Sequence, residues 1–100
     1  MLAEFSITPI DRGNEHLSPY VAKTIALIKE SGLPYELHAM GTIVEGEPEE
    51  VFALIQKCHV NMRQFSDRVS TAIKIDDKVG VTGALQSKVK SVQSQMGTPQ

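Results

Sequence analysis

Apolar and polar positions along this chain switch repeatedly between a period of two and the helical period of about 3.6. From Leu2 to Ile10 they alternate, with Ala3, Phe5 and Ile7 on one side and Glu4, Ser6 and Thr8 on the other. Pro9 and the turn formers Asp11-Arg12-Gly13-Asn14 close this first predicted strand. Ser18-Pro19 then supplies an N-cap followed by a proline at the first helical position, and Val21, Ile25 and Ile28 recur at helical spacing until Gly32. A helix is predicted from about Pro19 to Ser31. Residues 33–47, Leu-Pro-Tyr-Glu-Leu-His-Ala-Met-Gly-Thr-Ile-Val-Glu-Gly-Glu, alternate again between Pro34 and Gly46. They read as a hairpin of strands Tyr35–Met40 and Thr42–Glu45 reversing at Gly41. In its first arm Tyr35, Leu37 and Ala39 face one way and Glu36, His38 and Met40 the other.

Pro48, preceded by Glu47 and followed by Glu49 and Glu50, opens a second helix whose acids sit at the positive end of the helix dipole. Its buried stripe is Val51, Leu54, Ile55, Cys58 and Met62. Arg68–Ile75 returns to alternation, Val69, Thr71, Ile73 and Ile75 against Arg68, Ser70, Ala72 and Lys74, and Asp76-Asp77 ends it. Leu85, Val89, Val92 and Met96 then mark a last amphipathic helix over Ala84–Met96.

The order strand, helix, strand, strand, helix, strand, helix predicts an α+β fold of the ferredoxin-like type. This is a β-α-β-β-α-β sandwich with a four-stranded antiparallel sheet, both main helices on one face, and an extra C-terminal helix. Residues 1–96 are expected to form one domain and 97–100 a flexible tail. The other sheet face is left open, and on this reading it carries Glu4, Ser6, Thr8, Glu36, His38, Met40, Thr42, Val44, Arg68, Ser70, Ala72 and Lys74. That mixture is too polar for a core and too apolar for a bare surface. A ligand or a second copy of the sheet is expected to cover it, leaving small polar cavities between the layers.

Composition narrows the classes. With 41% hydrophobic and 22% charged residues and a formal charge of −2, the chain has ordinary globular make-up and no electrostatic footprint for nucleic acid. Its apolar runs are too short to cross a bilayer, and the N-terminus lacks the order of a secretory signal. Cys58 has no cysteine to pair with, which fits a reducing cytoplasm. Neither a nucleic-acid nor a membrane partner is expected.

Little in the sequence points to catalysis, metal or a resident cofactor. Cys58 belongs to the apolar stripe, so Cys58-His59 reads as a core residue beside a boundary residue. His16, His38 and His59 are not at ligand spacing. Asp76-Asp77 reads as a strand-to-turn exit. Neither phosphate-loop nor dinucleotide glycine spacing occurs, and Ser6 and Ser70 lack a G-x-S-x-G context.

The open face is the better candidate. Its Ser, Thr and His side chains suit a small planar heterocycle, and Glu4 and Glu36 favour a cationic one. The rival reading pairs Glu4 and Glu36 with Arg68 and Lys74 across a subunit interface, making a structural or regulatory homo-oligomeric module with no ligand. A third is a small acid-base enzyme using His38 with Glu36 or Glu4, although His38 meets Glu36 only lengthwise along one strand.

Several blocks together resemble the small single-domain members of the YkoF-like thiamine-binding family (UPF0045). They are Ala-Glu-Phe-Ser-Ile-Thr-Pro-Ile, Ser-Pro-Tyr-Val-Ala, Glu-Ser-Gly-Leu-Pro-Tyr with Met-Gly-Thr-Ile-Val-Glu-Gly-Glu, Lys-Cys-His, and Arg-Val-Ser-Thr-Ala-Ile-Lys-Ile-Asp-Asp. The resemblance spans roughly Leu2 to Val92. It implies non-catalytic binding of thiamine or its hydroxymethylpyrimidine moiety between face-to-face sheets of two subunits, in a homotetramer built as a dimer of dimers. Carried onto this sequence, it implies ligand-binding roles for Ser6, Thr8, His38, Met40, Thr42 and Ser70. Glu36 is added here as a partner for the thiazolium charge.

Overall fold

The computed structural model describes residues 1–12 and 16–96. The described residues form strands β1 (Leu2–Pro9), β2 (Tyr35–His38), β3 (Gly41–Glu45) and β4 (Val69–Asp76), and helices α1 (Ser18–Ser31), α2 (Pro48–Met62) and α3 (Ala84–Gln95), with a 3-10 turn at Ile10–Arg12. The strands make one antiparallel sheet in the order β2-β3-β1-β4, the ferredoxin-like topology. Helices α1 and α2 cover one face. The core between them and the sheet is Ala3, Phe5, Ile28, Val44, Val51, Leu54, Ile55 and Cys58. The tail expected at 97–100, and Gly13 and Asn14 of the first turn, lie outside the described residues.

Local chemistry sets the boundaries. Helix α1 stops at Gly32, whose φ of 74° suits glycine and whose N–H donates to the Lys29 carbonyl. Its start differs from expectation: Leu17 rather than Ser18 is the N-cap, without a side-chain cap bond. The Tyr20 and Val21 N–H groups both donate to the Leu17 carbonyl, at 3.0 Å, so helical bonding begins one residue earlier and Ser18 already lies inside. Helix α2 has a capping box between Glu47 and Glu50, with the Glu47 N–H donating to Glu50 Oε1 at 3.2 Å.

The hairpin corrects the expected turn. β2 ends at His38, Ala39-Met40 forms a two-residue turn, and Gly41 already belongs to β3. His38 therefore faces Gly41, Leu37 faces Thr42, Glu36 faces Ile43 and Tyr35 faces Val44. Facing residues share a side of the sheet, so Thr42 and Val44 point toward the helices, contrary to their expected place on the open face. Ile43 and Glu45 take that place instead. A one-residue shift moves every side chain of a strand to the opposite face, and Thr-Ile-Val carries too little polar contrast to fix the choice from sequence. Backbone proximity explains the glycine: a Cβ at Gly41 would lie 2.8 Å from the Phe5 carbonyl oxygen.

Beyond β4 the chain returns as α3. Its first N–H, at Ala84, donates to Glu45 Oε2 at 2.8 Å, and Lys88 pairs with Asp76. Leu85 is its buried residue, while Val89, Val92 and Met96 stay exposed. No helix among the described residues is long and apolar enough to cross a membrane.

Candidate ligand-binding site

Between the first half of α1 and the β2–β3 hairpin lies a cleft of about 390 Å³. This volume is at the small end of the range for organic ligands. Leu17, Val21, Thr24 and Ile25 of α1 line one wall and Phe5, Ile7, Leu37 and Thr42 of the sheet the other. Ser6, Thr8 and His38 border it, and the turn Ala39-Met40-Gly41 forms its lip. Five of the expected site residues, Ser6, Thr8, His38, Met40 and Thr42, are thus brought around one cavity. Its body lies on the helix side of the sheet rather than on the open face.

Thr42 is the most telling of them. It is 5% exposed, yet its hydroxyl has no hydrogen-bond partner among the described residues, and it opens into the cleft. Its oxygen is not sealed from solvent, since among the described residues no side-chain polar atom cut off from solvent lacks a partner, so the hydroxyl is open to water or to a ligand group that replaces it. Thr24, 8% exposed on the opposite wall, donates to the Tyr20 carbonyl at a long 3.3 Å and keeps acceptor capacity toward the cleft. The sequence reading missed Thr24. The available signal was a hydroxyl four residues before Ile28, in register with the helix's apolar stripe.

Glu36 and Ser70 do not reach this cleft. Both lie on the open face, where Ser70 faces Thr8 and Glu36 faces Ile43. Glu36 Oε2 is 3.5 Å from His38 Nε2, both side chains being about half exposed. That is the lengthwise contact expected of residues two apart on one strand. A smaller hollow of about 140 Å³ on the open face is bordered by Glu4, Ser6, Met40, Ala72 and Lys74. Ser6 and Met40 therefore border both cavities. Glu4 faces Lys74 across the β1–β4 ladder, but no ion pair joins Glu4, Arg68 or Lys74 to another described side chain.

The remaining reactive groups are engaged in structure. Cys58 is fully buried, and desolvation pushes its thiol up to about 11 despite nearby Lys57, so the nucleophilic thiolate is suppressed. His59 Nδ1 shares a 2.6 Å hydrogen bond with Thr71 Oγ1. Asp76 pairs with Lys88, and Asp77 lies 3.8 Å from the Met1 amine. No group of three His, Cys, Asp or Glu side chains among the described residues is arranged to hold a metal ion.

Comparison with known proteins agrees with this architecture. The family model described as "Thiamine-binding protein" matches residues 3–93. A UPF0045 protein of Mycobacterium bovis is 36% identical over 101 residues, covering 100% of this chain and 98% of its own length. The UPF0045 protein MJ1052 of Methanocaldococcus jannaschii is 33% identical over 92 residues, covering 92% and 91%. The crystal structure of MJ1052 superposes with a TM-score of 0.82 over 91% of this chain and 93% of that one. A Thermotoga maritima structure described as a candidate thiamine biosynthesis/salvage protein superposes with a TM-score of 0.75 at 26% identity, covering 91% and 96%.

Proposed function

The chain belongs to the thiamine-binding protein family, and from that premise and the cleft under α1 we propose that it binds thiamine, or its hydroxymethylpyrimidine moiety, without transforming it. The observation that carries this reading is Thr42, a largely buried residue whose hydroxyl is accessible from an otherwise largely apolar cleft and has no protein partner among the described residues. A pyrimidine ring lies against Phe5, Leu37, Val21 and Met40 while Thr42 and Thr24 meet its ring nitrogens and amine. Ser6, Thr8 and His38 guide it at the rim. The thiazolium cation projects past Met40 toward the Glu36 carboxylate, which attracts it.

On the open face, Glu36 and Ser70 belong to the part of the site that the facing sheet of a second copy completes, within a homotetramer. The uncovered stripe of α3, Val89, Val92 and Met96, supports association with a second copy, because apolar groups left in water favour it. A buried cysteine with a suppressed thiolate is compatible with the cytoplasm as its place of work.

Titration calorimetry with thiamine and with hydroxymethylpyrimidine, beside light scattering for mass, tests the reading. Saturable binding of both by a tetramer is the expected result. An intact tetramer that takes up neither compound would overturn the ligand reading and leave an assembly module.

A further inference from the structure

Building on the thiamine reading, we infer that Thr24 makes the cleft selective for a 4-aminopyrimidine over its 4-oxo counterpart, by meeting the ring's exocyclic group only as a hydrogen-bond acceptor. The hydroxyls on the two walls differ in their freedom. Thr42 Oγ1 has no protein partner among the described residues, so its proton can turn to donate to a ring nitrogen or turn away and leave a lone pair for an N–H. It suits either kind of ring. Thr24 Oγ1 donates its one proton to the Tyr20 carbonyl, one helical turn back, and what it has left for the cleft is lone pairs.

The two ring types present opposite patterns to these groups. A 4-aminopyrimidine has two N–H donors on its exocyclic nitrogen beside an unprotonated ring nitrogen, whereas the 4-oxo form has a carbonyl acceptor beside a protonated one. Against Thr24 the amine completes a hydrogen bond, and the carbonyl sets one acceptor against another. Relief requires the Thr24 hydroxyl to leave Tyr20, because the other side chains of that wall, Leu17, Val21 and Ile25, carry no donor. The bond to be given up is long, at 3.3 Å, so this escape is open at modest cost and the expected discrimination is about five-fold rather than a hundred-fold. Charge does not enter the comparison. Thiamine and its 4-oxo analogue, oxythiamine, carry the same thiazolium cation, so the pull of Glu36 acts on both alike.

Calorimetry at neutral pH with thiamine and oxythiamine, on the parent protein and on Thr24→Val and Thr24→Ser, reads this out beside melting curves. The parent is expected to bind thiamine about five-fold or more tighter than oxythiamine. Thr24→Val keeps the branched shape and removes the acceptor, so thiamine weakens, oxythiamine does not, and the ratio approaches one. Thr24→Ser keeps the hydroxyl and its bond to Tyr20, and with them the preference. A parent that binds the two compounds within about two-fold would overturn the selectivity and leave the thiamine reading standing. A preference that survives in Thr24→Val, or a variant in which both compounds weaken alike, would take the selection away from Thr24. Failure of the parent to bind either compound would remove the thiamine reading, and the selectivity with it.

Discussion

Thr42 stands opposite Phe5 across the β1–β3 ladder, and both side chains face the helices. That pairing puts a hydroxyl into an apolar wall with no protein partner, so the fold gains nothing from it. Thr42→Val keeps the shape and removes the hydroxyl. It is expected to leave thermal stability unchanged or slightly raised, while a ligand group left unpaired in the cleft costs about 1–3 kcal/mol. Affinity for thiamine should fall by roughly ten-fold or more, read by calorimetry beside a melting curve. Equal affinity in the variant would remove Thr42 from the site.

Gly41 holds the register that gives Thr42 its side. The Cβ of an alanine there would sit 2.8 Å from the Phe5 carbonyl oxygen, a backbone atom that cannot swing aside. Gly41→Ala is therefore expected to lower stability by about 1–3 kcal/mol, the usual cost of overpacking. In a domain of this size that corresponds to a melting point lower by several degrees. An unchanged melting temperature would mean that the strands separate easily, and that the close approach does not fix the hairpin.

Most of the fold was legible because its signals are local and redundant. Alternation over Leu2–Pro9 and Val69–Asp76, the stripe from Val51 to Met62, Pro48 and Gly32 all point the same way, and the four-strand order follows from them by the handedness rule. The hairpin register was not legible. Whether Met40 belongs to the strand or the turn depends on how closely β3 approaches β1, which no residue in 38–43 reports alone. That one uncertainty moved Thr42 and Val44 to the wrong face. It also hid the cleft, because Thr24 matters only once Thr42 is known to look toward α1.

Asp11 ties the 3-10 turn after β1 to the loop before β4. One carboxylate oxygen accepts from the Ser66 hydroxyl and the other from the Asp67 N–H at 2.9 Å. The Ser66 bond first, then the Asp67 bond, holds the Asp11 carboxyl below its usual range near 3.8. A depressed folded-state pKa adds stability that is fully present above the unfolded value and is lost as pH falls through the folded one. Asp11→Asn should therefore melt below the parent at pH 7, and the difference should shrink below about pH 4 as the parent's carboxyl takes up a proton. A gap that stays constant from pH 7 to pH 3 would assign the loss to geometry rather than charge.

Assembly makes its own demand on the open face. Ala72 faces Ser6 there and borders the small hollow with Glu4 and Lys74. An exposed strand position tolerates a large polar side chain within the monomer, since surface substitutions away from packed features usually change stability by about 0.5 kcal/mol or less. Between two closely facing sheets the same side chain meets its symmetry mate, and like charges held together repel. Ala72→Arg is expected to keep the circular dichroism spectrum and melting onset of a folded monomer while light scattering reports a smaller particle. If the particle keeps the parent's mass, the sheets do not pack through this face. Glu36 and Ser70 would then lose their proposed part in the site, while the cleft under α1 would keep its own.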